Sequence, residues 1–206
     1  MSASPGASKA LDRALVWLRR DLRTDDHAAL YHALTAARQV WCGFVFDRAI
    51  LDALPRADRR VEFIRESLVG VDLQLQALGR RHGVDGVGLL VRHGRATDEL
   101  PRLAEALGVQ AVYCNHDDDP DALARDAAVR GALAGRGIAL HTSKDHVVFE
   151  RSEVLTQSGK PYAVFTPYKR AWLGKLEPFY LKAYPVEAYR APVSYTHLTL
   201  PTIYSV

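Results

Sequence analysis

Short apolar runs alternate with amphipathic stretches along the first two thirds of the chain. The runs have the length and composition of buried strands and lie at residues 15–18, 40–46, 89–91, 111–114 and 138–140. Strands that alternate with helices are typical of a parallel sheet with helices on both faces. The pattern therefore predicts an α/β fold with a doubly wound, five-stranded parallel sheet of the Rossmann-like type.

The clearest helix follows Asp58. Its apolar residues recur at three- and four-residue steps, which places them on one side of a helix, at Val61, Ile64, Leu68, Val71, Leu75 and Leu78. Glycine favours the end of a helix, so we expect this helix to end at Gly79 and a later one, marked by three leucines, to end at Gly108. A further helix is predicted to begin at Asp119, whose carboxylate can cap free amides, with Pro120 in the first helical position.

The pattern divides the chain into four parts. Residues 1–9 lack the apolar core of a secretion signal and are expected to be a disordered leader. Residues 10–145 carry the α/β pattern, and residues 146–192, rich in proline and tyrosine, are expected to form an irregular interdomain connector. Residues 193–206 contain no Asp, Glu, Lys or Arg and resemble translated sequencing-adapter sequence. We expect a non-native tail there, and a native β-prone tail is the alternative.

Composition excludes several classes of protein. The 27 basic and 24 acidic residues are too evenly balanced to indicate nucleic-acid binding by charge alone. Two distant cysteines, Cys42 and Cys114, give neither a disulfide framework nor a Cys-x-x-Cys motif, and their place in apolar runs indicates core residues in a reducing, cytoplasmic setting. No run approaches the roughly 18 apolar residues of a membrane span, so no membrane association is expected.

Motifs for nucleotide and metal binding are also absent from the sequence. The glycines of residues 83–88 have the reverse of dinucleotide-binding spacing, and Gly159-Lys160 lacks the upstream glycine of a phosphate loop. The eight histidines lie at scattered spacings that suit no helical metal site. We therefore expect no bound metal, and a nucleotide-binding α/β module is only a distant alternative.

Charged residues gather where the first two strands end. In open α/β sheets, ligands bind in the crevice outside the carboxyl ends of the strands. Arg19, Arg20 and Arg23 follow the first strand and could form a fork for phosphate or carboxylate. They could equally be neutralised by three nearby carboxylates, those of Asp21, Asp25 and Asp26. Asp47 and Arg48 end the second strand and are expected to border the same crevice.

Two segments resemble the DNA photolyase/cryptochrome family. Residues 17–27, Trp-Leu-Arg-Arg-Asp-Leu-Arg-Thr-Asp-Asp-His, are similar to the family's Trp-Phe-Arg-x-Asp-Leu-Arg followed by Asp-Asn, with Leu18 in place of Phe and His27 in place of Asn. Residues 162–168, Tyr-Ala-Val-Phe-Thr-Pro-Tyr, resemble its Tyr-x-Val-Phe-Thr-Pro-Phe segment. Residues 46–51 and 59–64 also look like the family, so the resemblance extends from residue 15 to about residue 189.

This resemblance implies the N-terminal, antenna-binding domain of a bacterial class I cyclobutane pyrimidine dimer photolyase, in truncated form. The parent enzyme would be a carbon–carbon lyase that repairs dimers in DNA by light-driven electron transfer from reduced FAD. FAD and damaged DNA would be bound by a helical domain, so we expect no catalytic residue in this fragment and a monomer that is inactive alone. A cryptochrome-type blue-light photoreceptor shares this domain and is the alternative.

The resemblance also implies an antenna chromophore, a methenyltetrahydrofolate-type pterin or alternatively a deazaflavin. In the family, the loop after the fourth strand supplies an Asn/Glu-type contact to the pterin, which points to Asn115 and Asp119. A carboxylate can accept hydrogen bonds from the amino and ring N–H groups of a pterin. Together with the strand-end residues, the expected antenna site comprises Asn115, Asp119, Asp47, Arg48 and Arg19. The alternative that Asp119 serves only as a helix cap remains open.

Overall fold

The computed structural model describes residues 9–188. The expected leader, except for Lys9, and the expected non-native tail lie outside the described residues. The elements, in chain order, are β1 (Leu11–Leu18), α1 (Ala28–Ala36), β2 (Ala37–Asp47), α2 (Arg48–Leu51), α3 (Arg59–Arg81), β3 (Leu89–Gly94), α4 (Ala96–Leu107), β4 (Ala111–Asn115), α5 (Pro120–Ala134), β5 (Ala139–Ser143) and α6 (Phe165–Lys175). Two short 3₁₀ helices follow, Pro178–Leu181 and Val186–Ala188.

All five predicted strands form one parallel sheet, in the order β3-β2-β1-β4-β5. The predicted doubly wound, Rossmann-like fold is therefore confirmed. The chain builds outward from β1 to β3 and then returns to add β4 and β5 on the other side of β1. This reversal places a topological switch point between β1 and β4, which is where ligands of such sheets bind.

Strand β1 is central and buries side chains on both faces. Its residues alternate in direction, as the period of two requires: Val16 and Leu18 face α1 and α3, whereas Leu15 and Trp17 face α4 and α5. Cys42 in β2 and Cys114 in β4 are also fully buried. Burial raises the pKa of the Cys42 thiol to about 12, which keeps it protonated and unreactive.

Local helix signals were confirmed at two of the three predicted boundaries. Gly108 follows α4 with a left-handed φ of 61°, and Asp119 caps α5 by accepting a hydrogen bond from the N–H of Asp121 at 3.0 Å. The prediction for Gly79 was wrong, because α3 continues to Arg81. Gly79 instead lets the helix approach the segment after it: a Cβ there would lie 2.4 Å from Cγ2 of Val87.

The segment expected to be an irregular connector contains α6 and the two 3₁₀ helices. Phe149 packs edge-on against Trp172 of α6 and against Tyr180, which ties α6 to the segment that follows β5. The chain then returns to the α/β unit, where the N–H of Tyr184 donates to Asp26 and Val186 is buried in the core under α1 and α3. The prediction of an irregular segment was therefore incomplete.

In the described part of the chain, no helix is both long and apolar enough to cross a membrane. Nor do residues 9–188 bring together three His, Cys, Asp or Glu side chains in an arrangement that could hold a metal ion.

Candidate functional site

Three buried polar side chains meet at the carboxyl ends of β1 and β4. Asn115 ends β4, and its amide nitrogen donates to Oδ2 of Asp21 at 2.7 Å. Nε2 of His27 lies 3.0 Å from the same carboxylate. The backbone N–H of Arg19 donates to its other oxygen at 2.7 Å. We call Asp21, His27 and Asn115 the buried polar triad.

The triad also satisfies the first amides of α1. Nδ1 of His27 accepts from the N–H of Leu30 at 3.1 Å, and the side-chain oxygen of Asn115 accepts from that of Ala29 at 2.9 Å. Asp145 accepts from the N–H of Ala28 at 3.1 Å. Since Nδ1 is an acceptor, the imidazole is the neutral tautomer that donates from Nε2 to Asp21. His27 thus performs the capping role typical of Asn.

Asp21 stays ionised in this setting. Burial alone would raise its pKa, but the hydrogen bonds from His27 and from the N–H of Arg19 outweigh that effect. The pKa of the Asp21 carboxyl is therefore held well below its usual range. A buried carboxylate with three donors is a structural anchor for the loop between β1 and α1.

Arg19 is also committed to internal contacts. Its guanidinium lies over the Trp17 ring, 4.8 Å from the centroid, and Nη1 donates to both carboxylate oxygens of Asp126 at 2.6 Å. Nη2 donates to the carbonyl of Asn115. Only 8% of the Arg19 side chain is exposed. A ligand in the crevice would have to displace Asp126 to bind this guanidinium.

The other two arginines of the first loop are neutralised, as the second alternative from the sequence predicts, but the expected partners were wrong. Arg20 pairs with Asp117 at 3.2 Å, and Arg23 pairs with Asp145 at 2.8 Å. The parallel sheet explains the difference, because it brings the loops after β4 and β5 beside the loop after β1. Arg23 does contact Asp25 and Asp26, but through their backbone carbonyls.

Asp47 and Arg48 lie one strand away from the switch point, at the end of β2. Asp47 caps α2 by accepting from the N–H of Ala49 at 3.0 Å and also accepts from that of Ala96 at 3.3 Å. Arg48 is exposed and pairs with Asp52, the residue that follows α2. The hydrogen bonds of both residues thus go to α2 and α4 rather than to the β1–β4 crevice.

Asp119 is the candidate beside the switch point that solvent reaches, with 46% of its side chain exposed. One carboxylate oxygen caps α5, and the other lies 3.7 Å from Nη2 of Arg20, whose side chain is also exposed. Asp119 Oδ2 and the Arg20 guanidinium therefore form a polar rim at the mouth of the crevice. This rim could meet the edge of a planar ligand, whereas Asn115 and Arg19 lie behind it with their hydrogen bonds already made.

A surface cavity of about 430 Å³ lies elsewhere, beside the edge strand β3 and α4. Its walls are formed by Arg92, His93, Glu99, Arg102, Leu103 and Ala106. None of the five candidate residues lines this cavity, and Arg102 within it is paired with Glu99 at 3.0 Å.

Sequence reasoning missed the residues that close the crevice from within. Asp126 and Asp145 lie 107 and 122 residues beyond the arginines they bind, so no local pattern joins them. Their contacts form only when the parallel strands bring the loops after β4 and β5 beside the loop after β1, so no signal in the sequence could have found them.

Comparison with known proteins decides the family. The DNA photolyase family matches residues 14–189 of this chain. The chain belongs to the DNA photolyase family. An uncharacterized 31.6 kDa protein of Synechococcus sp. (strain PCC 6716) is 37% identical over 158 residues, which cover 77% of this chain and 53% of that protein.

Named photolyases are also similar to this chain, over a smaller share of their own length. The deoxyribodipyrimidine photo-lyase of Synechococcus sp. (strain PCC 6301) is 32% identical over 164 residues, covering 80% of this chain and 32% of that enzyme. A crystal structure of a bacterial class III photolyase from Agrobacterium tumefaciens superposes with a TM-score of 0.74 at 27% identity, covering 94% of this chain and 38% of that one. This photolyase-family chain thus spans about half or a third of the proteins it matches.

Proposed function

We propose that this chain is the light-harvesting domain of a deoxyribodipyrimidine photo-lyase. The observation that carries the proposal is the family match over residues 14–189, on a sheet whose counterpart in a class III photolyase has the same fold. In the whole protein, a helical domain would bind FAD and damaged DNA and would repair cyclobutane pyrimidine dimers by electron transfer from reduced FAD. We also propose that the protein is a monomer and that it works in the cytoplasm, where a reducing environment suits its two buried, unpaired cysteines.

Among the residues near the switch point, the exposed rim fits an antenna chromophore best. Asp119 Oδ2 would accept a hydrogen bond from an N–H group of a methenyltetrahydrofolate-type pterin, and the Arg20 guanidinium could stack on or donate to its ring system. The bound pigment would supply excitation energy to the flavin. Asn115 and Arg19 would act behind the rim by fixing the two loops that carry it, and Asp47 and Arg48 would be peripheral. A deazaflavin is the alternative pigment.

The substitution Asp119→Asn separates capping from chromophore binding. Asn caps a helix about as well as Asp, so we expect unchanged thermal stability. When the amide oxygen keeps the capping position, however, an NH₂ donor replaces the acceptor Oδ2. The pterin N–H group then has no acceptor, which costs about 1–3 kcal/mol of binding free energy. We expect methenyltetrahydrofolate to bind about 5- to 150-fold more weakly, measured by fluorescence titration.

The matched control is Asp118→Asn, which changes a similarly exposed neighbour that pairs with Arg151. The control should leave pterin affinity unchanged. Equal affinity of wild type and Asp119→Asn, with the pigment demonstrably bound, would assign Asp119 to capping alone.

A second expected result concerns the chain on its own. Because it corresponds to about a third of the photolyases it matches, we expect the purified chain to bind no FAD and to leave thymine dimers intact under blue light. Flavin release on denaturation and dimer content after illumination measure the two properties. Stoichiometric FAD or measurable dimer reversal would contradict the proposal that FAD binding and repair belong to a separate helical domain.

The runner-up function is that of a cryptochrome-type photoreceptor domain, which would use the same fold to signal. The named sequence relative given above is a photolyase, and the residues that distinguish repair from signalling belong to the flavin-binding part of such proteins. Dimer repair by the full-length gene product distinguishes the two functions.

A further inference from the structure

The cavity between β3 and α4 contains an arginine that the protein leaves without a partner. Among the residues that the structure describes, the Arg92 guanidinium makes neither an ion pair nor a hydrogen bond, although Arg92 is half-buried. His93, also on the wall of the cavity, is exposed and likewise has no partner. A guanidinium stays charged, so a half-buried one without a counter-charge favours the binding of an anion.

The fold places Arg92 at the border of this cavity. Side chains alternate along a strand, so Arg92 lies on the same face of the sheet as Leu90, which is buried beneath α4 and α5. Strand β3 is the edge strand, and in the described part of the chain no further strand lies beyond it. Arg92 therefore lies between α4 and solvent rather than in the closed core.

The other side chains of the wall restrict the ligand. Arg102 pairs with Glu99 at 3.0 Å, so these two charges balance and the charge of Arg92 is left in excess. Leu103 and Ala106 contribute an apolar part of the wall. The volume of about 430 Å³ lies within the range of small-molecule sites. These properties suit a small anion with an apolar body.

Glu99 selects for an anion with a single charge. Gly94 makes room for this side chain, because a Cβ at Gly94 would lie 2.6 Å from Cγ of Glu99. The Glu99 carboxylate on the wall would repel the second negative charge of a phosphate monoester. A carboxylate carries one charge, and its two oxygens match the fork of a guanidinium. The wall therefore favours a carboxylate over a phosphate.

We propose that this cavity binds a small organic monocarboxylate. Arg92 forms a bidentate pair with the carboxylate, and the apolar body packs against Leu103 and Ala106. The site is separate from the rim at the switch point, because β2 lies between β3 and β1. It also lies across the sheet from Val186, the buried residue of the segment that leads toward the part of the relatives that this chain does not span. The proposal goes beyond light harvesting and does not depend on it.

The test titrates the purified, ¹⁵N-labelled chain with sodium benzoate and, separately, with phenyl phosphate, and follows the amide signals by NMR. Benzoate should give saturable shifts at residues 92–93 and 102–106, with a millimolar dissociation constant because so small a probe has few atoms to contribute. Arg92→Gln removes the charge-assisted hydrogen bonds and should weaken benzoate binding by at least about tenfold. Glu99→Gln should strengthen the binding of phenyl phosphate about 2- to 5-fold, since it removes a repelling charge.

The matched control is Arg59→Gln, which removes an exposed, unpaired arginine of α3 on the other face of the sheet and should leave benzoate affinity unchanged. Arg92→Gln should not alter the binding of methenyltetrahydrofolate, which tests light harvesting separately. The proposal is overturned if benzoate shifts no amide at the cavity, or if Arg59→Gln and Arg92→Gln weaken benzoate binding equally. Tighter binding of phenyl phosphate than of benzoate by the wild type would also overturn it, as would a loss of pterin affinity in Arg92→Gln.

Discussion

Replacing Asp21 by Ala is expected to lower the free energy of unfolding by at least about 3 kcal/mol. The change removes the acceptor of three hydrogen bonds, from the N–H of Arg19, the amide of Asn115 and Nε2 of His27. Each buried donor left without a partner costs about 1–3 kcal/mol. For a chain of this size, the melting temperature should fall by about 6–12 °C, measured by circular dichroism.

A control substitution separates this loss from a general effect of removing a carboxylate. Asp118 is exposed and pairs only with Arg151, so Asp118→Ala should change stability by less than about 1 kcal/mol. A loss below 1 kcal/mol for Asp21→Ala would show that the buried polar triad does not anchor the loop between β1 and α1.

The pH dependence of stability gives a second measure of the same residue. The folded-state pKa of Asp21 is depressed, so its contribution to stability is fully present above the unfolded value of about 3.9 and is lost as the pH falls below it. We expect Asp21→Asn to show a shallower decline of unfolding free energy between pH 5 and pH 3 than wild type. Parallel curves would contradict the assigned ionisation.

Two glycines of α3 should respond in opposite directions to replacement by Ala. At Gly79, a new Cβ would lie 2.4 Å from Cγ2 of Val87 and 2.8 Å from the carbonyl oxygen of Val84, so the backbone must shift. We expect Gly79→Ala to cost about 1–3 kcal/mol or more. At Gly70, no atom lies within 4 Å of the new Cβ, and the better helix former should gain about 0.5–1 kcal/mol.

Chemical denaturation of the two variants and the wild type measures their free energies of unfolding. The wild type should lie between them. A stabilised or neutral Gly79→Ala would mean that α3 does not approach the loop before β3 as closely as the structure shows.

These two sites also show where sequence reasoning succeeds and where it fails. The five strands were predictable because apolar runs between helical patterns report burial directly, and the Asp119 cap was predictable because it depends on neighbours within three residues. The role of Gly79 was not predictable, since its contact with Val87 arises only when the chain turns back. In the sequence, a glycine that ends a helix looks the same as a glycine that lets a helix pack closely against another segment.

The candidate site also has one part that the sequence predicts and another that only the fold shows. The family resemblance, together with the rule that ligands bind at the carboxyl ends of parallel strands, placed Arg19 and Asn115 in one site. Both side chains already make internal hydrogen bonds, Arg19 to Asp126 and Asn115 to Asp21. A sequence does not show whether a polar group faces a ligand or another side chain. Exposure, which only the fold supplies, separates Asp119 from Asn115 and Arg19, the other two candidate residues near the switch point.

The central claim is that this chain harvests light for a photolyase. The direct test joins residues 14–189 to the remaining part of a related photolyase and records the action spectrum of dimer repair with and without bound methenyltetrahydrofolate. We predict that the pigment adds a band to the action spectrum at its own absorption maximum, and that Asp119→Asn needs a higher pigment concentration to give the same band. A repair-competent chimera whose action spectrum is the same with the pigment bound and without it would contradict the claim.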